Sequence, residues 1–477
     1  MRKDLWLMPL SARLRVFVTF LAASLIGPLA FSQSTNSAQA DESLTWRGIT
    51  LYGIVDIGLQ YDTHAAPISD YYPAGSGDVV QKNSNNSVLG VTPSNLTQSR
   101  IGLLGKENLY LGDWSAIFRL ETFFNPQSGE ISDALKSLVQ NNGKALSAQN
   151  TNVDSSIAGQ LFEQSFAGVS SPKYGTVTFG RQNTLLADAV LKYDPESASQ
   201  AFSLIGLSGT AAGGGDTQDR RLDSSLKYVG RFADSVHLGL QYKFQNASAQ
   251  SYANGGGGEA YSAFMVSIGA ELAGASVDAL YVKIKDAIAA SALNATQFAG
   301  LATLGYSSSD SLVGTASDNA TLSLMGLYAA GPLTYYAGYE HITFENPSID
   351  LAPGFNDIGG YVLAYVNNTT YEKHDKVLQV YWAGAKYAIG GNWTLTAAYY
   401  DYHQSSFASG ALAGCSSTIS SACSGNLAAA SIASEYRFTK RFNGYAGAMW
   451  SNVSHGSANG FLETTNINPT IGVRFTF

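Results

Sequence analysis

The sequence predicts an all-β protein: a closed antiparallel transmembrane barrel of about sixteen strands. Three observations carry that prediction. Apolar and polar residues alternate with period two in segment after segment, the signature of a strand with one apolar and one polar face. Charged residues make up only 13 % of a 477-residue chain that holds 49 glycines, 27 tyrosines and 22 phenylalanines. Beyond the N-terminus, no run approaches the roughly 18 apolar residues that mark a membrane-spanning helix.

Residues 1–40 read as an export signal. Arg2, Lys3, Arg13 and Arg15 flank or precede the apolar run VFVTFLAASLIGPLAF, which gives way to small polar residues. Cleavage falls between 32 and 40, near Ser32 or after Ala40. Removal through Ala40 takes four basic residues and one acidic one, so 28 and 36 become 24 and 35 and the net charge becomes −11. An acidic exported chain argues against a nucleic-acid partner. Residues 41–477 then form the barrel.

The strands follow in order. In GITLYGIVDIGLQY, Ile49, Leu51, Gly53, Val55, Ile57 and Leu59 share one face, while Thr50, Tyr52, Asp56, Gly58 and Gln60 share the other. The same alternation recurs near 98–106, 112–124, 163–171, 174–182, 222–230, 234–245, 260–272 and 274–286. It continues near 319–330, 332–344, 376–389, 392–403, 426–438, 441–455 and 468–477. The polar faces carry Glu, Lys, Asp and Gln, as a wet lumen allows.

These segments pair through tight joints such as SPKYG, GRFAD, LAGA, AIGGN and TKRFN. Between pairs the chain wanders through 62–97, 125–162, 183–221, 246–259, 287–318, 345–374, 404–425 and 456–467. Short turns at one rim and long loops at the other are the asymmetry of an outer-membrane barrel; a soluble sandwich has no need of it. SDALKSLVQNNGKAL, inside 125–162, is compatible with a short helix.

The chain ends on NPTIGVRFTF, with Ile471, Val473, Phe475 and Phe477 on one parity and Gly472, Arg474 and Thr476 on the other. Lipid offers no water to unpaired backbone groups, so every strand must pair and the sheet must close. Phe475 and Phe477 are therefore expected to face lipid on the closing strand. Cys415 and Cys423, eight apart in one Ser/Gly/Ala-rich loop of an exported chain, are expected to form a local disulfide.

Five blocks make the pattern more specific: SLTWRGITLYGIVDIGLQY, SRIGLLGKENLYLGDWSAIFRLETFF, FEQSFAGVSSPKYGTVTFGRQ, DRRLDSSLKYVGRF and the terminal RFTF. In these blocks and their order the chain resembles the Gram-negative general porins, closest to their β-proteobacterial branch. The resemblance implies a trimeric sixteen-stranded barrel in the outer membrane. It implies a lumen that passes ions and small hydrophilic solutes, and a third long loop, 183–221, folded inward as a constriction. Assembly through the barrel-assembly machinery, which reads the C-terminal strand, goes with the same family.

A passive pore needs a narrow, charged waist rather than a nucleophile. Parity within SAIFRLE turns Ser115, Ile117, Arg119 and Glu121 away from lipid, and parity within SRIG does the same for Arg100. The resemblance adds Arg181 to this basic wall, although strict alternation places it on the lipid face unless the strand ends or bulges at Gly180. Arg221 shares the parity of Asp223 and Lys227. Asp188, Asp194, Glu196, Asp216 and Asp219 are the candidate acids of the constriction loop, expected to oppose the arginines and set a transverse field. Where relatives often carry a second basic residue, this chain has Leu104, which shortens the basic ladder.

Other chemistries have little support. Six histidines lie scattered without metal-ligand spacing, and GGGD and NNGK lack the phosphate-cradling frame. No metal or cofactor is expected. YYDYHQSS is the nearest approach to a Ser/His pair, and its tyrosines read better as an interfacial aromatic girdle. Besides a general diffusion channel, two readings stay open: a channel selective for small anions, organic acids or sugars, and a surface adhesin built on the long loops.

Overall fold

The computed structural model describes residues 44–64, 86–127, 129, 161–207, 220–233, 235–244, 262–290, 314–345, 357–358, 361–362, 375–406, 424–458 and 463–477. Strand β1 is Ile49–Asp62, and β2 comes in two pieces, Val88–Pro93 and Arg100–Asn108. Next come β3 (Ser115–Phe123), β4 (Gln164–Ser171) and β5 (Gly175–Asn183), then helices α1 (Leu185–Tyr193) and α2 (Leu204–Leu207). Strands β6 (Arg221–Phe232), β7 (Val236–Lys243), β8 (Ser262–Leu272), β9 (Ala275–Ala290) and β10 (Gly314–Ala330) follow. The set is completed by β11 (Leu333–Glu345), β12 (Lys376–Ile389), β13 (Trp393–Gln404), β14 (Gly425–Arg437), β15 (Phe442–His455) and β16, itself in pieces Thr465–Ile467 and Thr470–Thr476.

Each strand pairs antiparallel with its sequence neighbours, and β16 returns to β1 with Ile54 opposite Thr476 and Gln60 opposite Thr470. The result is a closed sixteen-stranded barrel. Closure is completed at the last residue. Phe477 and Gly53 exchange both backbone hydrogen bonds, at 2.9 and 3.0 Å. A Cβ on Gly53 would stand 2.4 Å from the Phe477 ring, so glycine is what lets that ring lie over the seam. Phe475 is exposed on the outer face and its ring centroid lies 6.2 Å from that of Phe477.

The expected strands agree with the observed ones to within a few residues at most ends. The main departure is β2, which begins at Val88 inside the expected loop 62–97. Pro93 and the SNLTQS that follows read as loop from sequence. In the fold they are an inward excursion that interrupts β2, and Asp56 holds it by accepting the amides of Leu96 and Thr97 at 2.9 and 2.8 Å. Cys415, Cys423, Asp216, Asp219 and the helix-compatible segment within 125–162 lie outside the described residues.

The outer face is apolar: Leu59, Val91, Ile268, Leu322, Leu324, Ile432 and Ile471 are exposed there. Aromatic clusters mark its edges. Trp393, Tyr436, Phe438 and Phe442 form a chain of ring contacts near the tight turns, and Tyr339 meets Tyr381 at 4.9 Å toward the other rim. No described helix is long and apolar enough to cross a membrane.

Candidate functional site: a constriction between an arginine wall and an inward loop

The wall is built by alternation on β2 and β3. Arg100 donates through Nε to the carbonyl of Gln98 at 3.0 Å, stands 3.6 Å from Glu121, and lies over the Phe123 ring at 5.0 Å. Arg119 stands 5.8 Å from the Tyr52 ring centroid. Glu121 is buried between them and accepts from the Tyr52 hydroxyl at 2.7 Å and from Gln164 at 2.8 Å.

Arg181 reaches the same wall through a register shift. Pairing between β5 and β6 slips between Gly180 and Gln182, and Gly180 adopts φ +127°, in the region that favours glycine. The extra residue lies on β6, where Asp223 and Ser224 stand against Arg181 alone, and Arg181 is buried 3.8 Å from Glu163. Arg221 lies 3.1 Å from the same carboxylate and 4.5 Å from the Phe123 ring. Four strands thus bring the arginines together around two buried carboxylates. Glu163 escaped the sequence reading because it precedes β4, where strand parity no longer assigns a face; its amide bonds the Glu121 carbonyl at 2.8 Å.

The opposing element starts at α1. Thr184 caps it, accepting from the Ala187 amide at 3.0 Å, and the Leu185 amide donates to Gln241 at 2.9 Å. Leu185, Leu186, Val190 and Tyr193 are buried against the barrel's inner wall. Beyond the helix, Trp382 donates from Nε1 to the Tyr193 carbonyl at 3.0 Å, and Lys386 reaches Ser197 at 3.0 Å. The segment then crosses to the β2 excursion. There the Ala201 amide meets the Asn95 carbonyl at 3.0 Å, and Gln200 donates to Gln98 at 2.9 Å. Asn468 holds the Ala201 carbonyl from the β16 side at 3.1 Å.

The loop carboxylates do not all behave as expected. Asp194 is fully buried, accepting from the Tyr400 hydroxyl at 2.6 Å and from the Ala198 amide at 2.5 Å. Burial raises its proton affinity above the usual carboxylate range. Glu196, 7 % exposed, is pushed up to about 8 by burial, with Lys386 pulling the other way. Asp188 pairs with Lys227 on β6 and accepts from Asn183 at 3.0 Å. Asp194 and Asp188 thus bond their own surroundings, and Glu196 lies in the field of Lys386, where a loop turning its charges to the arginines was expected. For Asp194 the reason is local: the backbone turn after α1 presents amides that need acceptors, and its carboxylate supplies them.

A sequence profile of Gram-negative porins matches residues 22–366. The chain belongs to the Gram-negative porins. An outer membrane porin protein of Bordetella pertussis is 28 % identical over 228 residues, covering 47 % of this chain and 48 % of that protein. The chain therefore spans about half the length of this curated relative. Among solved structures, the anion-selective porin from Comamonas acidovorans aligns with a TM-score of 0.56 at 16 % identity, covering 90 % of this chain and 99 % of that one. OmpT of Vibrio cholerae in its trimer form gives 0.53 at 14 %, over 90 % and 99 %. Salmonella typhi OmpF in complex with daunomycin gives 0.51 at 15 %, over 90 % and 97 %. At such identities the likeness is one of fold. This porin is a multi-pass protein of the Gram-negative outer membrane, and its family is one of channels rather than enzymes.

Proposed function

We propose that this porin is a passive channel for ions and small hydrophilic solutes, with a preference for anions set at the arginine wall. One observation carries the reading. Among the described residues, Arg100, Arg119, Arg181, Arg220 and Arg221 gather around Glu121 and Glu163, with Asp194 also acting on Arg220. Local charge at the narrowest point governs preference more than the net −8 of the chain, because charges beyond about 8–10 Å are screened at physiological salt. The anion selectivity of the Comamonas porin points the same way. The arginine surplus also favours a narrower second reading, a channel that binds small organic anions during passage.

Residues 1–40 act as the export signal, with cleavage between 32 and 40. The mature barrel assembles as a homotrimer, as OmpT of Vibrio cholerae does in its trimer form. Phe475 and Phe477 present the C-terminal strand to the barrel-assembly machinery. The test is a planar bilayer under a tenfold salt gradient. An anion-favouring reversal potential that shrinks in Arg119→Ala supports the basic waist; a cation-favouring one keeps the pore and removes the preference. Absence of conductance defeats the channel reading, and flux that saturates with a carboxylate solute selects the narrower one.

A further inference from the structure

The inner faces of β9 to β15 carry a block of large apolar residues among polar ones such as Asn319, Thr321 and Gln404, where a water-filled lumen calls for polar groups throughout. Ile342, Phe344, Leu378 and Val380 are 0 % exposed, and Leu427 and Val453 are 2 % exposed. All point inward: Leu378 and Val380 share the parity of Trp382 on β12, Ile342 stands opposite Leu378, and Leu427 stands opposite Tyr402, which shares the parity of Tyr400, and opposite Val453. Trp382 and Tyr400 bond the constriction loop, while the intervening Tyr381 and Tyr399 are exposed outside. They join α1 in one continuous apolar cluster that also takes in Leu204 and Ile205. Ile342, Phe344, Leu378, Leu427 and Val453 lie toward the long-loop rim, well beyond the level of α1's own contacts with Ser276 and Glu271.

Glu340 bears on the same point. It faces inward on β11, opposite Ser323 and Val380, and is 0 % exposed. The Ser323 hydroxyl lies close to its carboxyl, and among the described residues neither carboxyl oxygen meets a donor in good hydrogen-bond geometry. A carboxylate on an aqueous lumen keeps water on both oxygens, and an unanswered charge in a dry site is strongly disfavoured.

We infer that the lumen is divided lengthwise. Its β9–β15 side is a dry protein core that fixes the constriction loop, and permeation runs only along the β2–β7 side, so that Arg100 and Arg119 meet the solute while Glu340 contributes no charge to it. The inference rests on the channel reading, and its test separates the two. Thiols are introduced one at a time as Val380→Cys, Leu427→Cys and Arg119→Cys in a background carrying Cys415→Ser and Cys423→Ser. Each folded protein meets a charged methanethiosulfonate reagent, read by mass and by bilayer current.

Arg119→Cys should be modified and lose current, whereas Val380→Cys and Leu427→Cys should keep full current and stay unmodified until denatured. Modification of either apolar-wall cysteine in the folded barrel overturns the dry wall even if the channel conducts normally. A parent that never conducts defeats the channel reading while the labelling result stands. Glu340→Gln supplies a second readout. A dry wall leaves the reversal potential unmoved, and a shift toward anions means that the wall is wet.

Discussion

Strands β2 to β6 and strands β9 to β15 alternate with the same period, yet their inward residues differ in kind. On the first wall alternation presents Arg100, Arg119 and Glu121, each charge answered by a neighbour or laid over an aromatic ring. On the second it presents Ile342, Leu378, Val380, Trp382 and Leu427, buried with the loop helix. A barrel with polar residues on both walls would have to hold its inward loop by hydrogen bonds that compete with water at every turn. Burial instead lets one wall act as a core, and it leaves the other free to keep charges in place.

The largest break in this comparison should come from Trp382→Ala. The indole is 2 % exposed and donates to the carbonyl that ends α1. Removing it leaves a cavity and an unmet carbonyl, a loss of about 3–5 kcal/mol for a buried Trp. The barrel strands should survive, since their ladders are untouched. The loop should loosen, seen as noisy, frequently closing channels and as trypsin cleavage at Lys192. A quiet, protease-resistant variant would mean that the apolar wall does not hold the loop.

Arg119→Glu tests the other wall. It places a carboxylate beside Glu121 and reverses the charge of a wall arginine that has no ion pair among the described residues. The reversal potential should move toward cations, while Arg231→Glu at the tight-turn rim, where Arg231 pairs with Glu271, should move it far less. Equal shifts from the two variants would show that selectivity is spread along the lumen rather than set at the waist.

Tyr400→Phe has a smaller, more local effect. It removes the hydroxyl that donates to Asp194 and leaves that carboxyl buried with its backbone partners. The loss is about 1–3 kcal/mol. It should appear as faster amide exchange at Ala198 with selectivity unchanged. Unaltered exchange would separate the Tyr400 contact from loop anchoring.

Much of the first wall was legible in the sequence because alternation assigns faces. Arg100 and Arg119 follow from parity alone, and Arg181 needed only the break in alternation that Gly180 permits. The second wall was less legible for the same reason. Parity shows which residues turn inward, but it says nothing of whether water waits there, and Val380 or Leu427 reads as an ordinary inward residue until its neighbours are known. The partners of Asp194 and Glu196 were hidden in another way. Tyr400 lies 206 residues from Asp194, and a loop's backbone path has no period from which to infer such a contact. Glu163 shows the limit at strand ends, where the alternation stops just short of the residue that binds two arginines.

The smallest expected effect concerns Glu196, which lies between the two regions, close to Lys386 and within the field of Asp194 and Glu435. Its ordinary value of 4.5 is raised to about 8 by burial. Between those two values the folded loop keeps a proton that an unfolded chain would release. The group therefore makes the fold less stable as pH rises through that window, and its contribution levels off above about 8. At neutral pH it adds no negative charge to the lumen; above about 8 it does. The anion preference should weaken slightly from pH 7 to pH 9 in the native channel, because the new charge is only 7 % exposed and Lys386 partly answers it. In Glu196→Gln that pH-dependent drift should vanish while the preference at pH 7 stays the same. A drift that persists in the variant would assign it to other groups and would leave Glu196 as a neutral part of the loop's anchorage at every pH measured.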